Sequence, residues 1–98
     1  MSSSATPTVQ LEDERVRVTR WDFEPGDSTG PHTHELPYVV VPVVDGTTEI
    51  TADDGSVSRS DLRSGMSYAR AAGARHEVVN VGTGHLAFVE VELKDAPA

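Results

Sequence analysis

Three of the four histidines in this chain have a spacing that suits one chemistry. His32 and His34 are one residue apart, and on a β-strand residues i and i+2 project from the same face. Both imidazoles can therefore aim at a single ion. His76 falls in a second strand-like segment, and if that strand faces the first, the three rings close a facial set. Neutral imidazole is a ligand for zinc, iron, nickel and copper. The spacing predicts a three-histidine site for a divalent metal ion, with Fe, Zn, Ni, Mn and Cu all open. A single histidine is ordinarily a surface or satisfied core residue, so the reading rests on the constellation. The fourth, His85, follows Gly82-Thr83-Gly84 and reads as an exposed turn residue.

Turns mark out the elements that must position these rings. Residues 1–8 are rich in Ser, Thr and Pro, and a disordered tail is expected over 1–10. A single domain is expected over 11–94, with a short C-terminal tail over 95–98. Arg15–Phe23 alternates as a strand, with a bulge predicted where the apolar parity switches from Val16/Val18 to Trp21/Phe23. Pro25-Gly26 makes a turn and Asp27–Pro31 a loop into the histidine strand. Tyr38–Val44 is an apolar run, buried on both faces or at an interface. Pro42 lacks a ladder donor and belongs at a bulge or an outward-facing bond position.

Asp45-Gly46 reads as a type I′ hairpin turn into Thr47–Ala52, because both central positions of that turn need positive φ. Asp54-Gly55 gives a second hairpin into Ser56–Leu62, and Gly82-Thr83-Gly84 a third between His76–Val81 and Leu86–Leu93. Met66–Arg70 is a further short segment. In the last strand Val89, Val91 and Leu93 share one face and Phe88, Glu90 and Glu92 the other, so the glutamates are expected to be solvated. No 3.6-residue periodicity runs for three turns. The fold class predicted is all-β, an antiparallel sandwich or barrel of about seven to eight short strands.

Composition bounds the function. Ninety-eight residues suit one hydrophobic core, and 37% apolar residues suffice for a barrel. No apolar run is long enough to span a bilayer, and the first residues lack the basic start and apolar stretch of a signal peptide. Cysteine is absent, which removes disulfides, thiolate ligands and cysteine nucleophiles and fits a cytoplasmic setting. The net charge of −8 repels nucleic acid. Arg15, Arg17 and Arg20 are the nearest to a basic group, and Arg15 and Arg17 read as the wet face of a strand. Neither a nucleic-acid nor a membrane partner is expected.

Two spaced motifs carry a family resemblance. Gly26, five residues, His32-Thr33-His34 and a closing Gly46 form the first. Gly65, five residues, Ala71-Ala72-Gly73, two residues, His76, three residues and Asn80 form the second. In this order they resemble the two motifs of the cupins, small double-stranded β-helix (jelly-roll) proteins; within the second motif only a proline is changed, to Ala71. The resemblance covers roughly residues 15–93. Val16–Phe23, Tyr38–Pro42 and Phe88–Lys94 are similar to the small single-domain bacterial cupins associated with β-alanine degradation.

The resemblance implies that His32, His34 and His76 are the metal ligands. It also exposes a departure. Cupins that bind metal usually carry a glutamate separated from the second histidine by three or four residues, and here those positions are Tyr38 and Val39. Glu35 and Glu77 adjoin His34 and His76 and should point to the opposite faces. Three neutral protein ligands are therefore predicted. An ion so held keeps its full charge, favours small anionic or chelating molecules, and acidifies bound water.

Tyr38 has the parity of His32 and His34, so it either faces the cavity or is a core tyrosine with its hydroxyl at the barrel mouth. Tyr68 and Arg70 share a parity, and an inward Arg70 could bind a substrate carboxylate with two hydrogen bonds. The alternative is a surface arginine beside an acid; Arg20 is equally open. Arg75 should point away, and Asn80 should serve turn and backbone hydrogen bonds. Gly26, Gly46, Gly65 and Gly73 read as structural. Asp53-Asp54 adjoins Gly55 and reads as turn chemistry. No nucleophile elbow, phosphate loop or dinucleotide fingerprint is present.

Two functions follow. One is a metalloenzyme, a non-haem Fe(II)-type oxygenase or related enzyme acting on a small carboxylate or dicarbonyl compound. The other is a non-catalytic module that binds a small metabolite or a metal. A homodimer is expected, because open sheet edges need cover, Phe88 reads as outward, and the resemblance implies it.

Overall fold

A computed structural model describes residues 3–94. Nine strands follow one another: β1 (Thr6–Glu12), β2 (Val16–Phe23), β3 (His32–Thr33), β4 (Tyr38–Val44), β5 (Gly46–Ala52), β6 (Val57–Leu62), β7 (Tyr68–Arg70), β8 (Arg75–Asn80) and β9 (Leu86–Leu93). They form two antiparallel sheets facing each other, β1-β2-β9-β4-β7 and β3-β8-β5-β6. The all-β jelly-roll expectation holds.

Among the described strands only β1–β2 and β5–β6 are hairpin neighbours; the other connections cross between sheets. Two predicted hairpins are therefore corrected. At Asp45-Gly46 neither residue has positive φ, and the chain leaves β4, which pairs with β7 and β9, for β5, which pairs with β6 and β8. The glycine is required by proximity instead: a Cβ on Gly46 would lie 2.7 Å from Leu86 Cβ. At Gly82-Thr83-Gly84 the chain crosses from β8 to β9, which do not pair. Asn80 ties that crossing together. Its Nδ2 donates to Phe23 O and Gly84 O, and its Oδ1 accepts from Gly82 N. The Asp54-Gly55 hairpin is present, with Gly55 at φ +86° and Asp54 accepting from Ser56 N.

Two further expectations differ. The tail expected to be disordered over 1–10 contributes most of β1, paired with β2 from Thr6↔Asp22 to Glu12↔Arg17. Backbone pairing compensates there for a strand whose side chains are all exposed. The tail expected over 95–98 lies outside the described residues. The bulge expected in β2 lies in β1, between Val9 and Leu11, while β2 runs unbroken against β9. Pro42 does sit at an irregularity, where the β4–β9 register shifts.

An unbroken β2 fixes the faces. Phe23 pairs with Leu86, Trp21 with Phe88, Thr19 with Glu90 and Arg17 with Glu92. Phe23 and Leu86 are fully buried, so this face points inward, and it brings Phe88 and Glu90 with it. The core gathers Phe23, Leu86, Phe88, Leu62, Val40 and Val78, with the Phe23 and Phe88 rings 5.4 Å apart and tilted. Phe88 is thus not an outward residue: it is 5% exposed.

Candidate metal centre

The rings are positioned by strand pairing. His32 stands directly opposite His76 in the β3–β8 register, so both project from one face. Beyond β3 the pairing continues irregularly: His34 N donates to Ala74 O, and Gly73 N donates back to His34 O. That exchange locks the loop before His76 against the residue that must share its ion.

The three Nε2 atoms converge. His34 Nε2 lies 3.0 Å from His32 Nε2 and 3.1 Å from His76 Nε2. The three ligand atoms lie within 4.8 Å of one another, the only such group among the described residues. One imidazole nitrogen carries either a hydrogen or a lone pair, so His34 Nε2 cannot satisfy both neighbours by donating hydrogen bonds. For metal–nitrogen bonds of about 2.1 Å, adjacent positions of an octahedral ion lie about 3.0 Å apart and those of a tetrahedral ion about 3.4 Å. The His32–His34 and His34–His76 spacings suit neighbouring ligands of one ion.

Protonation also fits. His32 Nδ1 lies 2.9 Å from Gly30 O. A carbonyl only accepts, so Nδ1 carries the hydrogen and Nε2 presents its lone pair, the orienting contact typical of metal-bound histidine. Gly30 reaches this place with φ +71°, a conformation side chains rarely adopt. Burial pulls the His34 ring down to about 4, helped by His32 and His76. Burial, then His32 and Arg70, pull His76 down to about 4. Both rings are neutral at pH 7, as ligation requires.

Tyr38 and Arg70 occupy neighbouring positions in the β4–β7 register and both line a cavity of about 120 Å³ that His76 and Glu90 also line. Tyr38 faces inward. Its ring stacks on His34 with centroids 3.9 Å apart and planes at 23°, which holds that imidazole in orientation. Burial, with Glu90 adding, pushes its phenol up to about 12, so it stays protonated. Arg70 lies over the Tyr68 ring, 5.0 Å from its centroid.

The other candidates fall outside. Glu35 is exposed and Glu77 accepts from Ser28 Oγ. Arg75 donates to Thr33 Oγ1. Arg20 pairs with Asp22, which also meets His85 at 2.9 Å. The Asp54 carboxylate serves its turn, accepting from Ser56.

The expectation that Glu90 and Glu92 are solvated is overturned for Glu90 and altered for Glu92. Glu90 is 9% exposed; Oε1 accepts from Trp21 Nε1 at 3.2 Å, and Oε2 lies 3.8 Å from His34 Nε2. Burial pushes its carboxyl up to about 7, against the Trp21 N–H, which lowers it. Glu92 is clasped by Arg17 through two bonds of 2.8 and 2.9 Å, so Arg17 is not simply a wet-face residue. The signal for Glu90 was its parity with Leu86 and Phe88 earlier in β9.

Known proteins point the same way. The cupin domain family model matches residues 19–92. The β-alanine degradation protein BauB of Pseudomonas aeruginosa is 43% identical over 90 residues, covering 92% of this chain and 94% of that protein. A cupin domain from Bordetella pertussis, solved by crystallography, is 42% identical, with a TM-score of 0.92 over 97% of this chain and 98% of its own. The polyketide cyclase RemF of Streptomyces resistomycificus shares the fold, with a TM-score of 0.71 at 19% identity over 99% of this chain and 72% of its own. Two facing antiparallel sheets, both histidine motifs in order and a family match across most of the strands lead to one conclusion: the chain belongs to the cupin domain family.

Proposed function

We propose that His32, His34 and His76 hold one divalent metal ion and that the protein is an enzyme of the non-haem Fe(II) oxygenase type, or a related one. Its substrate is a small carboxylate or dicarbonyl metabolite. The observation that carries this reading is the convergence of three Nε2 atoms beside a cavity. The ion would supply a Lewis-acidic centre with open positions for a chelating anion. Around it the chain's own residues do the positioning. Tyr38 steadies His34 by stacking and offers a hydrogen-bond donor. Arg70 supplies a permanent cation that suits a carboxylate. The 43%-identical relative, a β-alanine degradation protein, supports a small metabolite of this class.

A second reading, a non-catalytic module for a small metabolite or a metal, is favoured by one observation. Tyr38, held at about 12, neither gives up nor takes up a proton at neutral pH. We place the protein in the cytoplasm, supported by a sequence without cysteine, and no helix among the described residues is long and apolar enough to cross a membrane. We also propose a homodimer. Val16, Val18, Val39, Val41, Val89 and Val91 form the outer face of the five-stranded sheet, and a second copy would cover them.

Metal analysis of protein purified without chelator tests the function. The wild type should carry one ion per chain and His34→Ala none, with its β-sheet circular dichroism intact. A metal-free wild type ends the proposal. Loaded with Fe(II), the protein should consume oxygen with a small dicarbonyl or carboxylate; metal without turnover on any of them leaves the binding module.

A further inference from the structure

Arg70, exposed, and Glu90, buried, line the cavity from the same sheet, and neither has a permanently charged partner. Among the described residues no lysine or arginine comes within 4.0 Å of the Glu90 carboxylate, and no acid within 4.0 Å of the Arg70 guanidinium. Glu92, two residues further along the same face, shows what a paired acid looks like here, clasped twice by Arg17. Glu90 is the more deeply buried of the two acids, yet only one of its oxygens meets a hydrogen-bond donor, the Trp21 N–H. The second, Oε2, is not sealed from solvent: no fully buried side-chain oxygen among the described residues lacks a hydrogen-bond partner.

Strand order sets the two groups apart by a fixed span. β7 and β9 flank β4, with Val40 pairing Tyr68 on one side and Glu90 on the other, and Tyr38 pairing Arg70. The Arg70 and Glu90 backbones therefore stand two strand spacings, roughly 10 Å, apart across the sheet, one side-chain step out of line. Both side chains reach into the same small space, which His76 also borders. Glu90 lies outside the mutually close group formed by the three histidines. Its Oε2 lies 3.8 Å from His34 Nε2, beside the cavity that His76 also borders.

We infer that Glu90 is a specificity-determining residue: with Arg70 it selects a short carboxylic acid that also carries a hydrogen-bond-donating group, a hydroxyl or an ammonium. Arg70 takes the carboxylate and Glu90 Oε2 accepts from the donor. This inference rests on the reading of the cavity as the substrate site and deepens it by naming both ends of the substrate.

Titration calorimetry on zinc-loaded protein with propanoate, 3-hydroxypropanoate and 3-aminopropanoate tests it. The wild type should bind the two donor-bearing acids about ten-fold tighter than propanoate, the scale of one hydrogen bond to a charged group. Glu90→Gln, which keeps an acceptor for Trp21, should bring the three acids within about two-fold of one another. Arg70→Gln should weaken all three alike. Absence of a preference in the wild type, or a preference that survives in Glu90→Gln, overturns the inference. Zinc content measured on the same samples separates this from the metal reading. One zinc per chain with no acid preference sinks the selectivity alone, whereas a wild type that takes up no zinc sinks the metal centre.

Discussion

The two ends of the barrel interior are built from the same strands and do opposite work. Along the inner face of β9 the side chains run Leu86, Phe88, Glu90, Glu92, and along β8 they run Asn80, Val78, His76. At one end Phe23 and Leu86 are fully buried and Asn80 spends its amide on backbone atoms. At the other, three imidazoles, a buried carboxyl and a buried phenol crowd together. The first end contributes stability through apolar burial. The second places polar groups where burial disfavours their charged forms, the arrangement in which functional groups acquire unusual protonation. The fold is thus anchored at one end and carries its candidate reactive groups at the other, two strands carrying both.

The sharpest way to break this division is to empty the anchored end. Phe23→Ala should cost about 3–5 kcal/mol, read as a lowered urea midpoint. The folded fraction should keep the metal content of the wild type, because Phe23 touches none of the histidines' Nε2 group. Loss of metal in the folded variant would show that the ends are not separable.

The pH dependence of the metal-free protein probes the reactive end. Folded His34 and His76 sit at about 4, against an ordinary 6.5. Between those values the unfolded chain binds more protons at the two rings, so their contribution is lost as pH falls through that window. Glu90 runs the other way. Its carboxyl sits at about 7 when folded, against an ordinary 4.5, so its contribution is present in acid and lost as pH rises from 4.5 to 7. Two rings outweigh one carboxyl up to about pH 7, and above that the opposed contributions nearly cancel. Urea midpoints measured from pH 4 to 8 should rise from about pH 4.5 and level off near 7, and Glu90→Gln should steepen the rise. A variant whose rise is no steeper than that of the wild type would contradict this.

The smallest effect belongs to the rim. Arg17 is 40% exposed, so Arg17→Gln should lower stability by about 1 kcal/mol or less despite its two bonds to Glu92. Metal content should not change, which a side-by-side metal analysis checks.

The reactive end was only half legible in the sequence. His32, His34 and His76 declare themselves through spacing, and β4 and β9 match the expected strands residue for residue. Glu90 did not, for a physical reason. Reading which face is buried depends on one face being polar, and the five-stranded sheet is apolar on both. Inside are Phe23, Leu86 and Phe88; outside are Val16, Val18, Val89 and Val91. With valines on the outer face, Trp21 and Phe23 looked like a change of parity, so a bulge was expected where the strand runs straight. The same ambiguity hid the crossings at Asp45-Gly46 and Gly82–Gly84. Their residues suit tight turns, and only the partner of each strand distinguishes a turn within a sheet from a passage between sheets. β1 was missed because its apolar residues are a single pair, Val9 and Leu11, both exposed, after a Ser/Thr/Pro-rich stretch, and its order comes from backbone pairing with β2.

The central claim is that three ring nitrogens share one cation. Anomalous diffraction at a metal absorption edge, on crystals grown from protein never exposed to chelator, tests it directly. The account predicts one peak per chain, about 2.0–2.2 Å from Nε2 of His32, His34 and His76. Crystals with no peak among these rings, their nitrogens hydrogen-bonded to one another or to water, would contradict it.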